Sequence, residues 1–264
     1  MRNIFTKVKR VVRNISPTDR SVDFLICGTQ KGGTTALDAY LREHPQICMA
    51  DKKELHFFDK ESNFIEGKPD YSKYHSWFGP QKAHKLMGES TPIYLYWKDA
   101  PKRIWDYNPD IKLIVLLRNP IERAYSHWSM MRSKNKDDAS FLSAIENEKV
   151  RCREALPRQH RVYSYIDRGF YLVQLRRLWQ HFPTDQTLIL KNEYLKEHPI
   201  NAIRDVCDFL GADQLQSIEA KNVHSRSYKS KMNEKERAYL RSVFEDEIRD
   251  LERVLDWDCS DWLA

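Results

Sequence analysis

Three short stretches of this 264-residue chain carry side chains able to handle anions and protons. The first is Gly28-Thr-Gln-Lys-Gly-Gly-Thr-Thr35, which follows the apolar run Phe24-Leu-Ile-Cys27 and opens an amphipathic helical pattern. A strand, a glycine-rich turn and a helix N-terminus together aim unpaired N–H groups and the positive helix end at one anion. Gly28, Gly33 and Thr35 fit the nucleotide-triphosphate loop G-x-x-x-x-G-K-[ST], but Thr34 occupies its lysine position and the cation has moved to Lys31. The loop can therefore cradle a phosphate through Gly32, Gly33, Thr34 and Thr35, with its ammonium placed elsewhere than in a kinase. A plain strand-to-helix turn does not call for this concentration of lysine, glycine and threonine.

The second stretch, Leu117-Arg-Asn-Pro-Ile-Glu-Arg-Ala-Tyr-Ser126, puts an arginine at a strand end with a helix behind it. Arg118 can take a second phosphate bidentately, with Ser126 two helical turns on as a further donor. The other reading is that Arg118 pairs with a nearby carboxylate. The third stretch, Lys53-Glu-Leu-His-Phe-Phe-Asp59, sets a carboxylate and an imidazole two residues apart. Glu54 can act as a general base oriented by His56, or the segment is a charged loop anchored by its Phe pair. No metal-ligand spacing occurs, so no metal is expected.

The elements that must position these residues read as an α/β domain. Strands are expected at 86–90, 111–117 and 187–191, beside the run ending at Cys27. Helices are expected over 35–43, 99–108, 139–149, 170–182, 199–210 and 233–255, with another starting near Ile121. Alternating strands and helices predict a P-loop-like three-layer fold, a parallel sheet flanked by helices. Lys31 and Arg118 both fall just beyond apolar strands, at the carboxyl edge where such sheets bind ligands. The polar segment 130–168, with Arg151, Arg153, Arg158 and Arg161, reads as an acceptor lid or a solvated surface. Tyr71, Tyr74, Trp77, Phe78, Tyr94, Tyr96 and Trp97 read as an acceptor pocket or as core.

The formal net charge is +6, and Arg2, Lys7, Lys9, Arg10 and Arg13 lie within residues 2–15 without an acid among them. The remainder is close to neutral, so no nucleic-acid partner is expected. The segment 1–17 is basic and amphipathic and can touch an anionic membrane surface or dock on its own domain. A single domain is expected over 18–264. No apolar run reaches the roughly 18 residues that a spanning helix needs, and no secretory signal pattern opens the chain. An odd number of unclustered cysteines (27, 48, 152, 207 and 259) fits reduced thiols and a cytoplasmic location.

Together, the three stretches resemble the sulfotransferase superfamily that uses 3′-phosphoadenosine 5′-phosphosulfate (PAPS), in particular its heparan-sulfate-type and bacterial branch. Fainter similarity lies in Gly88-Glu-Ser-Thr-Pro-Ile-Tyr94, Gly169-Phe-Tyr171 and Phe209-Leu-Gly211, and the whole covers about residues 22–257. The resemblance implies that Lys31 holds the bridging oxygen as it leaves. It implies that the amides and hydroxyls of residues 31–35 bind the 5′-phosphate, and that Arg118 and Ser126 bind the 3′-phosphate. Glu54 would accept the acceptor's proton, with His56 beside it. The family's late lysine-glycine-arginine loop is absent and by position falls on Ser225-Arg-Ser-Tyr-Lys229, where Arg226 or Lys229 would substitute, and Ser90 stands where relatives often carry lysine. The donor would be PAPS, the product 3′,5′-ADP (PAP), and the acceptor a hydroxyl or amine of a glycan, glycolipid or small metabolite. A P-loop kinase would want a lysine at position 34 and a magnesium carboxylate at a strand end. A non-catalytic module for nucleotides or anionic glycans would need neither Lys31 nor Glu54.

Overall fold

Strands β1 (Phe24–Gly28), β2 (Ile47–Met49), β3 (Leu86–Ser90), β4 (Lys112–Leu117) and β5 (Thr187–Lys191) form one parallel sheet, in the order β2-β3-β1-β4-β5. The computed structural model describes residues 20–65, 69–79, 85–215 and 231–264. Strands β1 and β4 are almost wholly apolar because both faces are covered. Leu25, Cys27, Leu113, Val115 and Leu117 enter one core, while Phe24, Ile26, Ile114 and Leu116 enter the other.

The helices are α1 (Thr34–Leu41), α2 (Tyr71–His75), α3 (Ala100–Tyr107), α4 (Pro120–Ser133), α5 (Phe141–Glu146), α6 (Glu148–Arg151), α7 (Tyr171–Trp179), α8 (Asn192–Glu197), α9 (Pro199–Leu210), α10 (Glu234–Leu255) and α11 (Ser260–Leu263). Leu37 and Leu41 of α1, Leu195 of α8 and Ile203 and Val206 of α9 cover one face. Ile104 of α3, Ile121 of α4, Leu175 of α7 and Leu240, Phe244, Ile248 and Leu251 of α10 cover the other. The three-layer α/β fold expected from the sequence is the one that forms. Helix α10 starts at a capping box in which Asn233 and Glu236 bond each other's backbone amides. From β1 the chain crosses to β2 on one side, and from β3 it crosses to β4 on the other. The crevice of a doubly wound sheet opens at that reversal, beyond the carboxyl end of β1.

Several expectations need correction. The helix expected over 139–149 is two pieces, α5 and α6, which meet at Asn147. Strand β2 and helices α2 and α8 carried too few residues for their periodicity to register. The segment 130–168 is not simply a solvated surface, because Asp137, Glu148, Ser164 and the adjoining Arg168 are buried. Of the aromatics read as a pocket, Tyr74, Phe78, Tyr94, Tyr96 and Trp97 are core, while Trp77 is 41% exposed. Buried Glu89 sits among them, accepting from Tyr74 Oη at 2.7 Å and Tyr94 Oη at 3.1 Å, and burial raises its pKa. All five cysteines are free thiols, and burial pushes Cys27 up to about 12. Among the described residues no helix is long and apolar enough to cross a membrane. The basic segment 2–15 lies outside the described residues.

Candidate active site

Beyond Gly28 the chain turns through residues 29–33 into α1. Thr29 N–H donates to Leu116 O at 3.0 Å and Gly32 N–H to Thr29 O at 2.8 Å, which folds the loop over the end of β4. Lys31 (φ 71°) and Gly33 (φ 97°) both take left-handed backbone. A Cβ on Gly32 would lie 2.4 Å from Leu116 O, and one on Gly33 would lie 2.2 Å from Asn192 Nδ2, so neither position admits a side chain. Asn192, the first residue of α8, donates from Nδ2 to Gly32 O at 3.0 Å and pins the loop from the β5 side. Gly33 caps α1 without a side-chain acceptor, so the amides of Thr34 and Thr35 have no partner within the helix and suit an anion. Thr34 is buried and Thr35 exposed.

Strand β4 delivers Arg118 one strand over. Its Nη1 approaches Lys31 O at 3.4 Å, and its own carbonyl accepts from Tyr171 Oη at 2.8 Å. Asn119 caps α4 by accepting from Ile121 N–H at 2.9 Å, and it donates from Nδ2 to Trp262 O at 3.1 Å. The alternative that a carboxylate consumes Arg118 is the weaker one. Glu122 lies 4.0 Å away, and its other oxygen is engaged by Arg237 at 2.6 Å. Ser126 is buried one turn beyond Glu122 on the same helix face.

The third stretch joins the same edge. Glu54 N–H donates to Ser90 O at 2.9 Å, at the end of β3, which flanks β1 opposite β4. Phe57 and Phe58 anchor the stretch in the core, Phe57 stacking on Tyr74 at 4.7 Å. Glu54 (φ 60°) and His56 (φ 55°) hold left-handed backbone. The Glu54 carboxylate is 43% exposed, 3.2 Å from Lys53 Nζ and 3.7 Å from His56 Nε2. The other imidazole nitrogen of His56 meets buried Asp59 at 3.0 Å. His56, then burial opposing it and Lys53 adding to it, set the Glu54 pKa down to about 2. Asp59 first, and Glu54 second, lift His56 to about 9. At neutral pH the array is an imidazolium between two carboxylates.

A pH dependence follows from this pairing. His56 has a higher pKa folded than unfolded, so its contribution is complete below its ordinary 6.5 and is lost as pH rises through about 9. The thermal advantage of wild type over His56→Ala is expected to shrink across that interval. Thermal unfolding of both proteins at several pH values checks this, and a constant difference would rule out the charged pairing.

The sequence reading thus found three stretches that the fold brings to adjoining strand ends. It missed Asn192 and Arg168, and it placed Arg161 in a lid or solvated surface where the structure ties it to the base loop. Arg161 reaches Asp59 Oδ2 at 2.5 Å, and buried Arg168 reaches Gln30 Oε1 at 2.6 Å. The only local signal for Asn192 was its place directly after a predicted strand. Arg226 and Lys229 lie outside the described residues. Among the described residues, no group of three or more His, Cys, Asp or Glu side chains is arranged to hold a metal ion.

A parallel sheet with a lysine-bearing glycine turn, a strand-end guanidinium and a paired carboxylate at neighbouring strand ends is an α/β arrangement suited to binding anions. Residues 21–252 match the sulfotransferase domain family, and the chain belongs to that family. It is 35% identical over 196 residues to heparan sulfate glucosamine 3-O-sulfotransferase 3B1 of Mus musculus, covering 72% of this chain and 46% of that one. Against heparan sulfate glucosamine 3-O-sulfotransferase 6 of Homo sapiens it is 34% identical over 191 residues, covering 71% and 51%. The chain therefore spans about half the length of the curated relatives it matches. The crystal structure of a sulfotransferase from Alicyclobacillus acidocaldarius superposes with a TM-score of 0.80 at 26% identity, covering 93% of this chain and all of that one.

Proposed function

We propose that this chain moves the sulfuryl group of PAPS to a hydroxyl of a glycan acceptor by in-line displacement. The observation that carries the reading is the convergence of Glu54, Lys31 and Arg118 on the ends of β3, β1 and β4. PAPS has two separated anionic groups, and the edge offers two separated cationic anion sites. The loop amides and the Thr34 and Thr35 hydroxyls hold the 5′-phosphate, while Arg118 and Ser126 hold the 3′-phosphate. As the acceptor oxygen forms its bond to sulfur, the bond from sulfur to the bridging oxygen breaks, and Lys31 stabilises the charge appearing on PAP. Glu54 takes the acceptor's proton. A carboxylate of low pKa is a weak base, but the hydroxyl becomes strongly acidic once its oxygen bonds to sulfur, so a late proton transfer suffices. The glycan assignment draws on the names of the relatives and on the cationic Lys53 and Arg161 beside the Glu54–His56–Asp59 array. A kinase reading is disfavoured by Thr34 in the lysine position and by arginine where a magnesium carboxylate would stand.

The test is incubation of the purified chain with PAPS and, separately, a heparan-type polysaccharide, a simple phenol and a small amine, with PAP release as the readout. Release with the polysaccharide alone is expected. Failure to bind PAP, or no release with any acceptor, would sink the reading, and release with the phenol alone would sink the glycan assignment. Arg118→Ala is expected to raise the Kd for PAP about 10- to 100-fold, the loss of a charge-assisted hydrogen-bonded contact. Its kcat at saturating PAPS should stay near wild type. Calorimetric titration with PAP beside steady-state kinetics separates the two quantities.

A further inference from the structure

Lys31 and Glu54 stand on separate loops, yet the proposed reaction needs them at opposite ends of one line of atoms. Both hold left-handed backbone, at φ 71° and 60°, so each loop needs outside ties to keep its shape. One eight-residue stretch, Arg161 to Arg168, reaches both. Arg168 is 1% exposed. Its guanidinium donates to Ser164 Oγ at 2.8 Å, to Gln30 Oε1 at 2.6 Å and to Arg161 O at 2.9 Å, and it lies over the Tyr96 ring at 4.5 Å. Gln30 directly precedes Lys31. Arg161, whose carbonyl Arg168 holds, turns its own guanidinium the other way. It meets Asp59 Oδ2 at 2.5 Å, also reaches the Asp59 carbonyl, and packs over the Trp97 ring at 4.2 Å. Asp59 in turn holds His56 at 3.0 Å, and His56 faces Glu54 at 3.7 Å.

A buried guanidinium bonded to neutral oxygens is costly to desolvate. What the planar fork supplies is direction: several donors fixed in one plane, gripping three partners at set angles. We propose that Arg168 and Arg161 form a strut between the two loops, Arg168 positioning Lys31 through Gln30 and Arg161 positioning Glu54 through Asp59 and His56. The proposal rests on the sulfuryl-transfer reading above. The strut's side-chain contacts go to Gln30 and Asp59 and not to the phosphate-holding amides or the Arg118 guanidinium, so its main effect falls on alignment in the transition state and a smaller one on grip of the donor.

A rod cut at either end is cut, and that sets the test. Replacing buried Arg168 risks misfolding, so the variants are Gln30→Leu and Arg161→Gln at the two partly exposed ends, with their double variant. Each single variant is expected to lower kcat for PAPS turnover about tenfold, short of the roughly hundredfold that a full ångström of misplacement can cost. The Kd for PAP should change much less, by about two- to threefold, since the phosphate-holding groups themselves are all still present. The double variant should be scarcely slower than the worse single one. Losses that multiply to about a hundredfold would mean two independent supports and overturn the strut. Unchanged kcat in either single variant, or a loss confined to PAP affinity, overturns it as well. Wild-type protein that neither binds PAP nor forms it from PAPS overturns the functional reading itself. Wild-type turnover with any of the adverse variant results overturns the strut alone.

Discussion

Replacing Lys31 with alanine is expected to lower kcat by about two to three orders of magnitude, the usual effect of removing one group aimed at developing charge. The donor's phosphates are gripped elsewhere, by the loop amides and Arg118. The Kd for PAP should therefore rise by about tenfold or less, as for one exposed charge-assisted contact. This split marks a side chain whose main interaction appears only as the bond to the bridging oxygen breaks. Lys31→Arg should recover little, since a planar fork does not reproduce the compact ammonium. Single-turnover rates at saturating PAPS provide the measurement. A loss seen in KM alone would move Lys31 from the breaking bond to donor binding.

Glu54→Gln is expected to cost about a hundredfold or more in kcat, the range for a positioned general base, with PAP affinity unchanged. Glutamine keeps the shape of the side chain and its backbone tie to Ser90, so the comparison isolates the proton acceptor. With its pKa held at about 2, Glu54 is ionised throughout the neutral range. Loss of activity between pH 6 and 8 should accordingly not be traceable to this carboxylate, and Glu54→Gln should be slow at every pH in that interval. Wild-type rates in this variant would mean that the proton leaves by another route.

The parts of the site that could be read from the chain are those whose chemistry is local. Lys31 announces itself because its glycines must be glycines: Gly32 and Gly33 lie against Leu116 O and Asn192 with no space for a side chain. Arg118 follows the apolar run of β4, which has to be apolar to serve two cores at once. Glu54 and His56 stood within one stretch, and the structure shows both its anchor, Phe57 and Phe58 in the core, and the approach of His56 to Glu54 at 3.7 Å and to Asp59 at 3.0 Å. What escaped reading depends on distance along the chain. Asn192 meets Gly32 across 160 positions and Arg168 meets Gln30 across 138. A segment rich in arginine looks solvated until its carboxylate partners are known, and Asp59 and Asp137 prove to be buried under Arg161 and Arg151. The aromatic residues misled for a related reason. Composition shows that rings are present, whereas only packing shows that Tyr74 and Tyr94 close around Glu89 within the core.

The bond from the Asn119 side chain to the Trp262 carbonyl has a bearing on how the enzyme comes into being. Asn119 sits between Arg118 and the helix behind it, yet one of its two ties waits on a residue 143 positions downstream. A chain emerging from the ribosome can assemble the sheet, the glycine turn and the base loop well before that carbonyl exists. The corner proposed for the nucleotide's far phosphate is then finished only after Trp262 has been made and tucked into place. On that proposal, nascent chains are expected to hold the donor loosely until α11 docks, so that maturation of nucleotide affinity trails behind the folding of the core.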